Sequence, residues 1–421
     1  MCHTLFLASR WVLGIFILSL LLSPALANIA IGLLFLILIF SKKACSFSAQ
    51  KISPLGPDLY LWLFWGWMFI SLAINGELST HYKTALFYGR FVLILYVLHE
   101  ALLLHKDWIL SKAKIFYNLM GAIALYAIFQ SLTRWSLENF HWVKLPLPDE
   151  GFLIRSYGFL GNTMSYSFTF AMFFSVFLAL FTCFATTTPN KTFKKIWNFW
   201  PLFAVLLSLL FALTRSVWLG VTLSLLIVLT FYRDKKLITS LLALGLFLVS
   251  INIFLPQFNW RWKKLTAPKA TSRDTRIDLL KAHSYVFLHA PLWGKGLRTQ
   301  YDEVSQYYKK FGSYNHKTGH AHNNFLEIAS GLGLVGLTLF IIIFGFFLWD
   351  NWKALIAASN PFTKSWLVGI FAAQAGFHLA SFFDTTFYDF RRMHALLFLI
   401  ALYLVLKKKP SAPPFFLKKS L

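Results

Sequence analysis

The residues best suited to chemistry lie between Pro256 and Leu337, the longest interval without an apolar run of membrane length. From Pro256 to His322 this interval has twelve Lys or Arg, four Asp or Glu and five His. It ends in His320-Ala-His322-Asn323-Asn324-Phe-Leu-Glu327, which runs directly into an apolar segment. An imidazole at the mouth of that segment can take a proton from a hydroxyl group, a step typically worth about 10²–10⁴-fold in rate. His322 is therefore the candidate base.

A structural alternative applies to the same stretch. Asn323 or Asn324 can cap the helix that follows, and Asn324 with Glu327 three residues later fits a capping box. That alternative accounts for Asn324 and Glu327 but not for His322, whose own alternative role is a hydrogen bond at the membrane interface.

Arginines upstream of the histidines suit an anionic ligand. Arg273 and Arg276 belong to the stretch from Ser272 to Ala282, which predicts the start of an amphipathic helix, and Ala290 to Gly296 predicts a turn at its end. Guanidinium groups stay charged and give bidentate contacts to phosphate oxygens. General attraction of a basic helix to anionic lipid would explain the same charges.

The composition indicates which elements must position these residues. Of 421 residues, 57% are hydrophobic, 19% aromatic and 13% charged, with a mean hydropathy of +0.61. These values exclude a water-soluble globule and predict an all-α polytopic membrane protein. Many of the basic residues behind the net charge of +24 lie in short connections between apolar runs, where they indicate topology rather than nucleic-acid binding.

Metal chemistry has no signal in the sequence. Cys2, Cys45 and Cys183 are scattered, and no group of carboxylates or His has the spacing of a Mg²⁺ or zinc site. We expect no metal and no cofactor. The apolar run after Arg10 lacks a small-residue cleavage site followed by a polar domain, so we expect a retained helix rather than a signal peptide.

Apolar runs predict about twelve membrane spans. Residues 11–41 carry no charge and exceed one span, so we divide them at a turn near Ser23 to Asn28, with one long tilted helix as the alternative. The other predicted spans are 59–75, 85–98, 115–132, 165–186, 201–213, 217–232, 237–255, 325–348, 366–383 and 396–406. Arg90 lies inside the fourth span, with either a functional role or a structural pairing. A basic connection with Lys106, Lys112 and Lys114 separates the fourth span from the fifth.

The charge pattern predicts the orientation. Placing the short basic connections on the cytoplasmic side puts both termini there. The predicted organisation is residues 1–255 for transmembrane helices 1–9, 256–322 for a large outer loop with short helices, 323–406 for helices 10–12 and 407–421 for a basic cytoplasmic tail. The short Thr214-Arg215-Ser216 connection then fixes Arg215 at the outer boundary, as a site residue or as an interfacial anchor.

These motifs resemble those of the bacterial O-antigen ligases and the related O-antigen polymerases and protein O-oligosaccharyltransferases. Ligases of this type have Arg, three residues and Leu in the large periplasmic loop, matched here by Arg276 to Leu280. They then have His-Asn, nine residues, Gly, two residues and Gly, matched here by His322-Asn323, Gly333 and Gly336.

Two further features extend the resemblance. The family's additional Arg, at the outer end of a span before the large loop, corresponds to Arg215. The stretch from Ser381 to Arg391 is similar to the weaker closing motif of these proteins, and Asp384 in it either orients a cationic partner or pairs with Arg391. The two matched spacings favour the ligases within the superfamily.

The resemblance implies an activity. A multi-pass protein of the bacterial inner membrane, with its active site facing the periplasm, would transfer a glycan from undecaprenyl diphosphate to the lipid A core. Transfer would be metal-independent and would invert the anomeric carbon, with Arg276 and Arg215 neutralising the diphosphate and His322 activating the acceptor hydroxyl. Membrane lipids would surround the protein, and nucleic acid is not an expected partner. The further residues expected to contact substrate are Arg273, Arg298, His320, Asn323, Asp384 and Arg391.

Other activities share the donor or the topology. A polymerase of O-antigen or exopolysaccharide would use a lipid-linked repeat as acceptor, and a protein O-oligosaccharyltransferase would use Ser or Thr. A transporter of polyprenyl lipids would also fit twelve spans, but the His and Arg concentrate in one loop, and no duplication of two six-span halves is evident. A purely structural scaffold leaves the matched spacings as coincidences.

Overall fold

The computed structural model describes residues 2–44, 54–138, 141–145, 155–187, 192–232, 271–311 and 319–408. Within these ranges the chain forms twelve helices and one two-stranded hairpin. In chain order the elements are α1 (Cys2–Leu22), α2 (Pro24–Ala44), α3 (Asp58–Ile74), α4 (Leu78–Thr133), β1 (Trp135–Glu138), β2 (His141–Lys144), α5 (Thr163–Thr187), α6 (Thr192–Phe211), α7 (Arg215–Tyr232), α8 (Thr271–His289), α9 (Gln300–Phe311), α10 (Asn324–Ala357), α11 (Pro361–Ala380) and α12 (Phe390–Leu406).

The helical membrane fold is confirmed in outline. Six helices in the described ranges, α1, α2, α4, α5, α7 and α10, have the length and apolar composition of a membrane span. The number twelve stays a prediction, as do the limits of the four predicted regions, and the proposed ninth span, 237–255, lies outside the described residues.

The predicted division of residues 11–41 is confirmed. Only Ser23 separates α1 from α2, and the two helices pack against each other. The break falls here because Pro24 has no N–H to continue the first helix, whereas its fixed φ suits the start of a second one.

The predicted connection between the fourth and fifth spans is wrong, because α4 continues through it for 56 residues in all. Residues 99–114 contain neither Gly nor Pro, so charged side chains alone do not end the helix. Three positions along α4 nevertheless lie near α12, directly or through one intervening residue. Arg90 lies over Phe390 at the start of α12, Lys106 is near Lys408 just past its end, and Phe116 packs on Phe173, which contacts the middle of α12. Residues on both sides of Lys106 therefore lie close to α12.

The all-α prediction misses one small hairpin in the polar connection after α4. β1 and β2 pair antiparallel, with Trp135 opposite Lys144. The buried Ser136 hydroxyl accepts from Gln130 Nε2 at 3.0 Å, and the Leu137 backbone N donates to the Tyr126 hydroxyl at 2.7 Å. These contacts tie the hairpin to the end of α4.

A kink in α10 positions the candidate site. Gly333 has a φ of 66°, and a Cβ there would lie 2.3 Å from the carbonyl carbon of Leu292. Only glycine fits this close approach at positive φ. Backbone carbonyl oxygens at the kink accept hydrogen bonds from outside α10. Trp67 Nε1 donates to Leu332 O at 2.8 Å, and the Lys295 N donates to Ser330 O at 3.1 Å. The Gly at the matched motif position therefore docks the loop after α8 onto α10.

Candidate active site

His322 lies in the short loop before α10. Its φ is 51°, in the left-handed region that non-glycine residues seldom adopt. Asn323 follows in an extended conformation and caps α10, with Oδ1 accepting from the Leu326 N at 2.9 Å. The prediction that an asparagine caps this helix is confirmed for Asn323. The proposed capping box of Asn324 with Glu327 is wrong.

Asn324 has a different role, because its side chain points to the loop between α11 and α12. Its Oδ1 accepts from the backbone N of Phe387 at 3.0 Å and of Thr386 at 3.3 Å, and its own N donates to Ser381 O at 2.8 Å. These bonds fix the start of α10 against that loop, which carries the acid next to His322.

That acid is Asp384, a buried residue with one oxygen facing His322 and the other facing an arginine. His322 Nδ1 lies 3.6 Å from Asp384 Oδ1, an electrostatic contact slightly longer than a hydrogen bond. Arg392 Nη1 donates to Asp384 Oδ2 at 2.7 Å, and its Nε lies 3.1 Å from Asp389 Oδ2. Of the two alternatives for Asp384, pairing with Arg391 is therefore wrong. Arg392, one residue further, points into the bundle from α12.

The charges of this group hold Asp384 in its ionised form. Burial by itself would raise the pKa of Asp384, but Arg392, His322 and His320 together lower this pKa to about 2. Asp384 is therefore anionic at neutral pH. Asp384 and Asp389 share the single Arg392 guanidinium, and Asp384 presents its other oxygen to His322 Nδ1 at 3.6 Å.

His320 lies beside His322, with the ring centroids 4.3 Å apart. Burial lowers the pKa of His320, and the positive charge that His322 can carry lowers it further. The lowered pKa favours the neutral form of His320.

Glu327 anchors the loop, a role that the sequence analysis missed. Its side chain is fully buried. The carboxylate accepts from the Ala321 N at 2.6 Å, from Gln300 Nε2 at 2.9 Å and from the Tyr301 hydroxyl at 2.8 Å. Burial and the negative charge of Glu327 raise the pKa of Tyr301, which therefore stays a donor. The only signal in the sequence was an acid one turn inside an apolar helix.

His283 completes the anchor and joins it to the arginine helix. Its Nε2 lies 3.0 Å from Gly319 O and 3.9 Å from a Glu327 carboxylate oxygen, and its Nδ1 lies 2.8 Å from Ser330 Oγ. Gly319 and Ala321 are thus held on both sides of His320. Arg276 precedes His283 by two helical turns and shares its face of α8. The same contacts that hold the loop therefore orient the arginine.

Arg215 and Arg276 are brought together from two helices. Arg215 is the first residue of α7, both side chains are exposed, and the two guanidinium groups repel each other electrostatically. Arg155 holds the turn before Arg215, with Nε donating to Ala212 O at 3.0 Å and Nη2 donating to Thr214 Oγ1 at 3.1 Å. Within the described residues neither the Arg215 nor the Arg276 guanidinium forms an ion pair, and a pair of guanidinium groups has the charge and the N–H donors to contact phosphate oxygens.

The remaining predicted site residues fall into groups that lie in different places. His320, Asn323 and Asp384 lie at His322, as described above. Arg298 and Arg391 contact aromatic rings instead, Arg298 at Tyr88 and Tyr388, and Arg391 at Phe390. Arg273 lies in the first turn of α8, and its side chain is outside the described part of the chain.

His320, His322 and Asp384 also form a possible ligand set for a cation. Each offers one ligand atom, and these atoms lie within 4.8 Å of one another. A bound metal would have to share Asp384 with the Arg392 guanidinium, whose Nη1 lies 2.7 Å from Asp384 Oδ2. The positive charge of that guanidinium repels a cation. The absence of a metal stays a prediction for this chain.

Comparison with protein families gives a match mostly in the second half of the chain. The family model described as O-antigen ligase matches residues 200–341. This segment contains Arg215, Arg276 and His322, whereas Asp384 and Arg392 lie beyond it. No curated protein matches the chain.

Proposed function

We propose that this chain, a membrane protein of the O-antigen ligase and polymerase superfamily, transfers a glycan from undecaprenyl diphosphate to a hydroxyl of the lipid A core. We place the reaction on the periplasmic side of the inner membrane, because the charge pattern puts the loop before α10 outside. The observation that carries the proposal is the contact of Asp384 with His322. It is supported by Arg276, which lies on the helix that His283 ties to the His322 loop, and by Arg215, on which the charge of Arg276 acts.

The proposed reaction is a direct displacement at the anomeric carbon. The bond from that carbon to the diphosphate oxygen breaks as the bond to the acceptor oxygen forms, which inverts the configuration. His322 Nε2 takes the acceptor proton while Asp384 stabilises the imidazolium through Nδ1. Arg215 and Arg276 hold the departing diphosphate and neutralise its charge. In this scheme the arginines supply the positive charge that a metal would otherwise provide.

Polymerisation is the second candidate, since the matched family supports the superfamily as a whole. A polymerase would apply the same base and the same arginines to the hydroxyl of a second lipid-linked repeat. The two activities differ only in the acceptor.

The test uses purified full-length protein with a lipid-linked glycan as donor and rough lipopolysaccharide as acceptor, with and without EDTA. Glycan on the lipid A core in both conditions supports the metal-independent ligase. Lengthening of the glycan on the polyprenyl carrier would replace it with the polymerase, and loss of transfer in EDTA would contradict metal independence.

His322→Ala should abolish transfer while the protein remains in the membrane. The matched control is His289→Ala, on the exposed part of α8, where Nδ1 contacts only its own helix at Tyr285 O. Equal transfer by the two variants would remove His322 from the mechanism.

A further inference from the structure

A second set of arginines lies on an aromatic patch formed by the outer ends of α4 and α12. Arg298, in the loop after α8, has a φ of 71° and an exposed side chain. Its Cζ lies 5.6 Å from the ring centre of Tyr88 and 5.1 Å from that of Tyr388. These contacts hold the guanidinium over two rings without neutralising it.

Arg90 and Arg391 converge on the neighbouring ring. The Cζ of each lies 5.6 Å from the centre of Phe390, and Arg90 also lies 3.8 Å from that of Phe87. The positive charges of Arg90 and Arg298 both act on the Tyr88 hydroxyl. We refer to Arg90, Arg298 and Arg391 as the second arginine cluster.

In the part of the chain that the structure describes, no carboxylate pairs with this cluster. Within the described residues none of the three arginines forms an ion pair, and the Nε and Nη2 of Arg90 and the Nε of Arg391 are buried without a hydrogen-bond partner. The two acids whose charges act on Tyr88 are already engaged: Asp389 with Arg392, and Glu327 with the three donors that anchor the His322 loop. Unpaired N–H groups and like charges at one place destabilise the free protein and favour an anionic ligand.

We propose that the second arginine cluster binds the phosphate of a second membrane-anchored substrate, a phosphorylated glycolipid, separately from the diphosphate at Arg215 and Arg276. Calling the occupant a substrate rests on the proposed function. Phe87, beside Arg90, is 42% exposed on the outside of the bundle, so the patch is open to a lipid.

The cluster is also joined to the catalytic loop. The Tyr388 hydroxyl lies 3.3 Å from Gln300 Nε2, which donates to Glu327, and Glu327 holds the Ala321 N next to His322. An amphiphile held at the cluster would therefore have its glycan close to the proposed base. A transfer reaction needs two substrates, and the two arginine sets provide two anion sites on different helices.

The test measures equilibrium binding to the full-length protein in nanodiscs, with rough lipopolysaccharide and its enzymatically dephosphorylated form as probes. Arg298→Gln and Arg90→Gln should each raise the Kd for the phosphorylated probe by about tenfold or more, the usual cost of losing hydrogen bonds to a charged group. The Kd for the dephosphorylated probe should not change. The matched control is Arg10→Gln: Arg10 also lies over a ring, 4.7 Å from the centre of Trp108, and has a buried unpaired Nε, but it lies far from the cluster.

Two results would overturn the proposal. If binding of both forms of the probe is weakened equally, the arginines only support the fold. Arg298 lies at an exposed loop position, so Arg298→Gln keeps this test valid if Arg90→Gln fails to insert. Weakening for polyprenyl diphosphate alone would assign the cluster to the donor. Because binding requires no turnover, failure of the ligase assay leaves this measurement interpretable.

Discussion

Replacing Asp384 by Asn tests the proposed base directly. The amide keeps the shape of the side chain, and Arg392 keeps Asp389 as a partner at 3.1 Å. What is lost is the negative charge 3.6 Å from His322 Nδ1. At an effective dielectric constant of about 20, a full charge on the imidazole is stabilised by roughly 4–5 kcal/mol at that distance.

The expected effect depends on how far the proton has moved in the transition state. With about half a charge on His322, the transition state loses about 2 kcal/mol of stabilisation, and with a full charge it loses about twice that. These losses correspond to a decrease in kcat of about 30-fold to 10³-fold. The assay is steady-state transfer by purified protein at several pH values. We expect kcat to fall and its pH profile to shift, while the KM for the donor changes little.

The control for this prediction is Asp302→Asn, an exposed acid in the first turn of α9. If Asp384→Asn keeps the wild-type kcat and pH profile, Asp384 does not act through His322 and the reasoning is wrong. A loss of activity with an unchanged pH profile would indicate a structural role only.

The same carboxylate predicts a pH dependence of stability. Its pKa in the folded protein is about 2, below its ordinary value of 3.8, so its ionised form stabilises the fold by about 2 kcal/mol. Because this pKa is lowered, the contribution is complete above about pH 4 and is lost as the pH falls towards 2. The Tm advantage of the wild type over Asp384→Asn should shrink over that interval, and a constant difference would contradict the ion pair.

Three other substitutions test the surrounding structure. Gly333→Ala places a methyl group 2.3 Å from backbone atoms at a positive φ and should lower the Tm strongly. The control Gly345→Ala, which has open space around it, should not lower the Tm. Equal Tm values for the two variants would refute the tight packing at the kink. Glu327→Ala removes the acceptor of three donors and leaves the buried Ala321 N unsatisfied, at about 1–3 kcal/mol. Both Tm and kcat should therefore fall, and retention of both would exclude the proposed anchor. Arg276→Gln should raise the KM for the donor about tenfold or more, while Lys281→Gln on the same helix, also exposed, should leave this KM near that of the wild type.

The sequence predicted local features correctly because short-range rules determine them. The break at Ser23 follows from Pro24, and the cap at Asn323 follows from the side chain's reach to the helix start. The connection predicted after the fourth span failed for the opposite reason. Its Lys residues indicate where a chain meets water, but they do not stop a helix that has no Gly or Pro.

The partners of the candidate base required the tertiary structure. Arg391 and Arg392 are neighbours on one helix, about 100° apart around its axis, and the sequence does not say which of them faces Asp384. Glu327 looked like a capping residue because its spacing from Asn324 fits that motif, yet its real partners come from α9 and from the loop before α10.

The sequence by itself determined a helical membrane protein, the chemical identity of His322 and the arginines of the outer loop, and their order along the chain. Apolar length, helix punctuation and side-chain chemistry are properties of short segments, so they can be recognised without a fold. Only the tertiary structure decided that Asp384 and Arg392 support His322, that His283 ties the helix of Arg276 to the same loop, and that three arginines lack a counterion among the described residues. Those relations join residues far apart in the chain, and they depend on the direction in which each packed helix turns its side chains.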